Sequence, residues 1–291
     1  MQARTAFPAP AARWPPMTYA WINGELVSEA EARVPVADRG FLYGEGCFET
    51  VRIRRGLPFR LDAHLRRLEE GMRLFGFEPP WPLPSIRDGA RALVTAQAAI
   101  EAVLRIIVTA PHPETGHPGT AAITIRAPPT VPREVRLHVS PSVRRIPGLP
   151  SRCKMIARGA EALALREARA AGAFDAILLN PQGNVAETAS RNVFIVSGDE
   201  VQTPSVAEGA FEGITRGVVM ELARRFDRDV REVPVPLNAL MLADEVFLTG
   251  TSVGVCGVSG VHAHRYHDAP GMLTQRLVHA YDEVLTREAA W

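Results

Sequence analysis

The chain reads as an α/β protein of the α+β kind, and three observations lead there. Its 291 residues, 46% of them hydrophobic, suffice for one large core or two ordinary ones. Stretches with the two-residue period of strands alternate with stretches of the 3.6-residue period of helices. The run Arg126-Ala127-Pro128-Pro129-Thr130-Val131-Pro132 interrupts both patterns, because adjacent prolines extend neither a ladder nor a helix. The predicted division is a loose extension over 1–16, a small α/β domain over 17–126, a linker over 127–134 and a larger domain over 135–291.

In the first half, residues 18–22 form a strand that Asn23-Gly24 turns back through Leu26-Val27 as a hairpin. The glycine-dense stretch Asp38-Arg39-Gly40-Phe41-Leu42-Tyr43-Gly44-Glu45-Gly46 reads as a turn feeding a strand over 47–53. Its glycines permit close backbone approach but lack the spacing of a dinucleotide or triphosphate loop. Residues 61–75 form an amphipathic helix with Leu61, Leu65, Leu68 and Met72 on one face, and a second helix covers about 84–99. The strand over 103–108 carries Arg105 between apolar neighbours, so the guanidinium either faces a site or lies at a solvated edge. A strand over 120–125 ends this half.

Beyond the prolines, 135–139 is an alternating strand, and a loop then carries Lys154 into an alanine-rich helix over 157–171 that Gly172 ends. A buried strand over 176–179 turns through 180–184 into Glu187-Thr188, followed by a strand at 192–196. Gly213-Ile214-Thr215-Arg216 opens a helix to about Phe226; a phosphate seat and a plain capped helix would look alike there. Strands at 231–233 and 245–249 precede the turn Gly250-Thr251-Ser252-Val253-Gly254, and a helix over about 271–285 closes the chain.

A net charge of +1 offers no field to draw nucleic acid or an anionic membrane surface, so a small metabolite is the natural partner. Three cysteines, Cys47, Cys153 and Cys256, have no metal-ligand spacing and read as free thiols of a reducing compartment, hence a cytoplasmic protein. No run approaches the ~20 apolar residues that span a bilayer. Residues 1–16 carry four prolines and no segment suited to a signal peptide, and Met17 is a candidate working start.

Among the 33 basic residues Lys154 is the one lysine. Arginine supplies charge as well as lysine does, but its guanidinium stays protonated, whereas a buried amine loses its proton near neutrality and attacks carbonyls. Lys154 is therefore either a Schiff-base lysine or the relic of an arginine-biased genome, and the count alone does not separate them. Its company does. Glu187 follows a strand in isolation, and the turns at 213–215 and 250–252 bring glycines and hydroxyls. Pyridoxal phosphate asks for these parts: an amine for its aldehyde, helix amides, hydroxyls and an arginine for its phosphate, and a carboxylate for its pyridine nitrogen. The acidic residue and glycine that nucleotidyl transfer wants behind its lysine are absent, as is the eightfold strand-helix repeat of a barrel aldolase.

On these residues the chain resembles the fold-type IV pyridoxal-phosphate enzymes: branched-chain aminotransferases, D-amino acid aminotransferases and aminodeoxychorismate lyases. The resemblance runs from about Ala20 to the C-terminal helix. It is carried by Asp38-Arg39-Gly40 through Glu49-Thr50, His64-Leu65-Arg66-Arg67-Leu68, Lys154 with Leu163-Ala164 and Glu167-Ala168, Glu187 through Asn192-Val193-Phe194, Gly213-Ile214-Thr215-Arg216, and Asp244-Glu245-Val246-Phe247 with Gly250-Thr251. It implies a small N-terminal α/β domain, a larger C-terminal cofactor domain with a mixed sheet or barrel-like core, and a homodimer. It further implies that Lys154 forms the internal aldimine with pyridoxal 5'-phosphate and shuttles the Cα proton, that Glu187 meets the pyridine nitrogen, and that Arg67, Ile214, Thr215 and Thr251 hold the phosphate. Tyr43 and Arg105 coincide with positions that handle the substrate carboxylate in branched-chain aminotransferases, and Ser252 and Arg158 join them as substrate residues.

The function so implied is transfer of an amino group between an α-amino acid and an α-keto acid, with no metal. Aminodeoxychorismate lyase, which eliminates pyruvate to give 4-aminobenzoate, is the alternative. Gly46-Cys47-Phe48 resembles the lyase's turn, the lyase has arginine where Arg158 stands, and Gly159 replaces a tyrosine of the branched-chain enzymes. Thr109-Ala110-Pro111 and Phe48 depart from the D-amino acid pattern. A non-enzymatic pyridoxal-phosphate carrier would keep Lys154 and Glu187 yet lack turnover. His112 and His117, in the 110–118 loop, are either substrate contacts or exposed side chains.

Overall fold

Asn23 and Gly24 adopt φ 50° and 98°, the left-handed pair that a two-residue hairpin turn requires, and they join β1 (Tyr19–Ile22) to β2 (Glu25–Ser28). The computed structural model describes residues 19–78 and 81–291; the extension over 1–16 and the start at Met17 lie outside the described residues. With β3 (Gly46–Arg54), β4 (Leu57–Pro58), β5 (Ala102–Thr109) and β6 (Ala121–Arg126), the hairpin builds a six-stranded antiparallel sheet in the order β2-β1-β6-β5-β3-β4.

The strand period sorts this sheet's two faces. Cys47, Val51 and Ile53 of β3 and Leu104, Ile106 and Val108 of β5 are buried in one apolar cluster with helices α2 (Leu61–Phe75) and α3 (Leu83–Ala96). From α2 come Leu61, Leu65, Leu68 and Met72, the stripe its sequence spacing predicts, each worth about 1.5–3 kcal/mol of burial. Phe48, Thr50, Arg105, Thr124 and Arg126 point the other way, since Thr50 pairs with Arg105 and Arg105 with Thr124 across the ladder. The stretch expected as a plain turn contains one helical turn, α1 (Arg39–Tyr43), because Asp38 Oδ1 accepts from the Gly40 and Phe41 amides at 2.8 and 3.2 Å. The other Asp38 oxygen accepts from the Thr109 and Thr120 hydroxyls.

The second half builds the mixed sheet that the sequence leads one to expect. Its strands are β7 (Glu134–Arg144), β8 (Asp175–Leu179), β9 (Asn184–Thr188), β10 (Asn192–Ser197), β11 (Glu200–Thr203), β12 (Asp229–Glu232), β13 (Val235–Pro236), β14 (Glu245–Gly250), β15 (Gly254–Val261) and β16 (His264–Arg265). The order is β12-β11-β10-β14-β15-β7-β8-β9-β13, with β16 on β15. Parallel pairs at β15–β7, β7–β8 and β11–β12 sit among antiparallel ones. Helices α6 (Ile214–Arg225) and α8 (Met272–Arg287) share a core with the stacked rings of Phe194 and Phe247, whose centroids lie 4.9 Å apart. Helix α5 (Gly159–Ala170) packs Ala164 and Ala168 with Ala176 and Leu178 of β8. A short α4 (Leu149–Arg152) precedes Lys154, and α7 (Leu237–Leu242) precedes β14. No helix among the described residues is long and apolar enough to cross a membrane.

The sequence reading omits β15, and the structure supplies the reason. Three glycines leave Gly-Val-Cys-Gly-Val-Ser-Gly-Val with weak strand propensity, yet a Cβ on Gly257 would come within 2.5 Å of Pro270, and one on Gly260 within 2.3 Å of the His264 carbonyl. They let neighbouring chain approach a central strand closely.

Candidate active site

Between one face of the first sheet and the ends of β9, β10 and β14 in the second lies a cavity of about 270 Å³. Lys154 reaches it because its segment is stitched to β3: the Phe48 amide donates to the Lys154 carbonyl at 2.8 Å and the Ile156 amide to the Gly46 carbonyl at 3.0 Å. The amine lies 4.5 Å from the Phe211 ring centroid and 5.0 Å from that of Phe48. Burial, reinforced by the Arg67 and Arg158 guanidiniums and opposed by Glu49 and Glu187, lowers its pKa to about 8. It is the amine the lone lysine foretells: one that loses its proton close to neutrality.

Glu187 stands on β9 in the same cavity. Arg145 meets its Oε1 at 2.9 Å, and the Phe211 amide donates to its Oε2 at 3.0 Å. Burial pushes this carboxyl up, against the pull of Arg145. Arg145 also holds Glu161 at 3.0 Å, so the two acids share one guanidinium.

A third wall gathers Ile214 and Thr215, at the N-terminus of α6, with Thr249, Gly250, Thr251 and Ser252 at the end of β14. Gly213 caps the helix without a side-chain hydrogen bond, leaving its first amides for a ligand. Arg67 borders the same wall, gripped by Glu49 through Nε and a terminal nitrogen at 2.7 and 2.8 Å, and its other terminal nitrogen donates to the Glu212 carbonyl at 2.7 Å. Burial alone would raise the Glu49 carboxyl, but Arg67 and His64, whose Nδ1 lies 2.7 Å away, hold it well below the usual range.

The fourth wall is cationic. Arg105 lies over the Phe48 ring at 4.0 Å and Arg158 at 5.9 Å, while Arg126, two residues beyond the cross-strand partner of Arg105, lines the same end. None of the three meets a carboxylate among the described residues. Burial, with Arg158 and Arg126, pulls the Arg105 guanidinium below its ordinary value.

The structure thus brings Lys154, Glu187, Arg67, Ile214, Thr215, Thr251, Ser252, Arg105 and Arg158 to one cavity. Tyr43 is 61% exposed on α1, with Arg39 stacked on its ring at 4.8 Å, and does not line the cavity of its own chain. The short helix that Asp38 caps turns it outward. His112 and His117 do not line the cavity either; the His112 Nδ1 accepts from the Glu114 and Thr115 amides of its own loop. Sequence reading passed over Arg126, taken as the last residue of the small domain before the linker, and Phe211 and Arg145, whose partners lie far along the chain. Alternation was the available signal for Arg126, two residues from Thr124 on the same face.

The donor set suits pyridoxal phosphate on a feature of the structure itself. The Thr249 hydroxyl is fully buried, lines the wall beside the helix amides and has no hydrogen-bond partner. A buried hydroxyl left without a hydrogen bond is costly, and an anion's oxygens would satisfy it.

Comparison with known proteins agrees with this geometry. The family model for amino-transferase class IV matches residues 46–261. A putative branched-chain-amino-acid aminotransferase of Methanocaldococcus jannaschii is 31% identical over 278 residues, covering 92% of this chain and 96% of that protein. The branched-chain aminotransferase of Thermoproteus uzoniensis, solved with norvaline, superposes with a TM-score of 0.86 at 27% identity, covering 93% of this chain and 95% of that one. The T.th. branched-chain amino acid aminotransferase, complexed with N-(5'-phosphopyridoxyl)-L-glutamate, superposes with a TM-score of 0.85 at 28% identity, covering 93% of this chain and 94% of that one. These relatives are aminotransferases, not lyases. With the family model spanning most of its length and a relative of this identity covering nearly all of it, the chain belongs to the amino-transferase class IV family and is an aminotransferase.

Proposed function

We propose that the protein binds pyridoxal 5'-phosphate and uses it to move an amino group between an α-amino acid and an α-keto acid. The observation that carries this reading is a buried amine with a pKa of about 8 sharing a cavity with a buried carboxylate, beside a helix N-terminus and an unpartnered buried hydroxyl. Lys154 would hold the cofactor's aldehyde carbon. Ile214, Thr215, Thr249 and Thr251, with Arg67, would take its phosphate, and Glu187 its pyridine nitrogen. When bound, the cofactor supplies an electron sink for the bond between the substrate Cα and its hydrogen.

The chain's own residues do the rest. Lys154 Nζ, unprotonated for half its population at about pH 8, accepts the Cα proton and returns it on the other side of the exchange. Glu187 would be the acidic partner of the ring nitrogen, fixed by Arg145 and the Phe211 amide, with Arg145 opposing the burial that raises its carboxyl. Arg105 and Arg158 orient the substrate carboxylate against the Phe48 ring. Together with Arg126 they bring more positive charge than one carboxylate neutralises. That supports an exchange in which one partner, donor or acceptor, is a dicarboxylic acid, and the names of the relatives support a branched-chain acid as the other.

We also take the two sheets as two domains meeting at the cavity, with the segment 127–134 between them, and the working protein as a cytoplasmic homodimer. The exposed Phe41, Leu42 and Tyr43 of α1 support the dimer. The test is a set of half-reactions: the cofactor-loaded protein is mixed with single L- and D-amino acids, and the cofactor's absorbance is followed. Conversion with an α-amino acid, reversed by an α-keto acid, is expected; no conversion with any amino donor overturns the reading.

A further inference from the structure

Of the chain's three cysteines, two meet. Cys47 Sγ and Cys153 Sγ lie 3.1 Å apart, both side chains buried. A disulfide needs about 2.05 Å, so closing the pair moves the sulfurs by roughly 1 Å. Helix α2 is shaped around them. Gly71 occupies a helix interior, where glycine is destabilising, and a Cβ there would stand 3.3 Å from Cys153 Sγ and 3.5 Å from Cys47 Sγ. Cys256 shows the ordinary alternative: a thiol buried in an apolar cluster, donating to the Pro132 and Gly257 carbonyls and pushed up by burial to about 11.

The pair's position gives it a consequence. Cys153 immediately precedes Lys154 and lines the cavity, whereas Cys47 immediately precedes Phe48, the ring against which the lysine amine lies. Cys47 belongs to the first sheet and Cys153 to the segment between β7 and α5 of the second half.

We propose that Cys47 and Cys153 are an oxidisable pair that closes to a disulfide when a peroxide enters the cavity, and that the cross-link restrains Lys154 and slows turnover. The Cys153 thiolate attacks one peroxide oxygen, forming a sulfenic acid and releasing the other oxygen as water once protonated. The Cys47 thiol then attacks that sulfur, its proton leaves with the hydroxyl as a second water, and two thiols and one peroxide have become one disulfide and two waters. The order of attack follows from access: Cys153 lines the cavity that the peroxide enters, and Cys47 lies behind it. The first step rests on the thiol geometry alone; the loss of turnover rests on the catalytic role given to Lys154 above.

The test treats the full-length, cofactor-loaded protein with hydrogen peroxide, and reads intact mass, titratable thiols, the cross-linked peptide and turnover. The expected result is loss of two hydrogens and two thiols, a peptide joining Cys47 to Cys153, and turnover that falls and returns with dithiothreitol. Cys256→Ser should behave as the parent. Cys47→Ser should trap a dimedone-reactive sulfenic acid on Cys153, and Cys47→Ala serves if the serine variant fails to fold. Sulfinic acid without a cross-link, a cross-link involving Cys256, or three thiols still titratable after peroxide overturns the pair. A cross-linked protein with unchanged turnover overturns the restraint of Lys154, while leaving the aminotransferase reading intact.

Discussion

At one end of the cavity the charged groups have partners of opposite charge within the protein; at the other, three guanidiniums meet no carboxylate among the described residues. Arg67 is held by Glu49, and Glu187 by Arg145 and the Phe211 amide, before any ligand arrives. Arg105, Arg126 and Arg158 share only the Phe48 ring, a backbone carbonyl and one another's repulsion. The difference matches how long each ligand stays. A resident cofactor is best met by groups already locked in place, since preorganised dipoles cost no rearrangement during the reaction. A substrate that must come and go is drawn instead by unneutralised charge, which its own carboxylate completes.

The comparison breaks most visibly at Lys154. Lys154→Arg keeps the charge but removes an amine able to lose its proton, so turnover should fall by at least ~10⁴-fold with the fold retained, as stopped assays and circular dichroism would report. If the arginine variant retained more than a hundredth of the activity, the amine would not be the reacting group. Glu187→Gln tests the locked end next. It keeps the shape but removes the charge, and a loss of about 10²–10³-fold in turnover is expected, with substrate KM little changed.

How much of this was visible beforehand varies with the range of the signal. Helix α2 and the Asn23-Gly24 hairpin were legible because their causes are local: a stripe of four apolar residues in one case, two left-handed residues in the other. Lys154 was legible for a chemical reason, being the one basic residue that arginine does not replace. Glu187 was legible as an isolated acid after a strand, but Arg67 only through family resemblance, and the partner of neither was announced nearby: Glu49 lies eighteen residues from Arg67, and Arg145 lies on the far side of α5 from Glu187 in sequence. The outward direction of Tyr43 was not legible, because sequence position fixes a residue's element, not the direction in which a capped helical turn presents it. Strand β15 failed because its glycines answer contacts with Pro270 and the His264 carbonyl that only the folded chain creates.

The open end gives the intermediate effects. Arg105→Met should raise KM for a dicarboxylic substrate by roughly 10–100-fold, the worth of one hydrogen bond to a charged group, and change kcat less. Arg126, more exposed, should matter only a few-fold, and the effect should shrink with added salt. Equal losses for leucine and glutamate in the Arg126→Met variant would remove the second carboxylate from the account. Acidity offers a further handle. The folded Lys154 pKa of about 8 lies below the ordinary 10.5, so the unfolded chain holds this proton more tightly. Stability of the cofactor-free protein should therefore rise as pH climbs from about 8 toward 10.5, and this rise should vanish in Lys154→Met. Just below that range the rate of cofactor capture should climb roughly fivefold between pH 7 and 8, with the unprotonated fraction of the amine.

The smallest effect is the most pointed, because its sign depends on whether the cofactor is present. Thr249 carries a buried hydroxyl without a partner, and Thr249→Val replaces it with a methyl group of nearly the same shape. In the cofactor-free protein this relieves an unmet hydrogen-bonding demand, so the urea midpoint should hold or rise by the equivalent of about 1 kcal/mol. In the loaded protein the same change removes a donor to the phosphate, and cofactor affinity should fall by about 3–10-fold. A uniform loss of stability with and without cofactor would mean that the hydroxyl serves packing alone. Opposite signs would tie the vacant hydrogen bond to the anion for which the wall of helix amides is arranged.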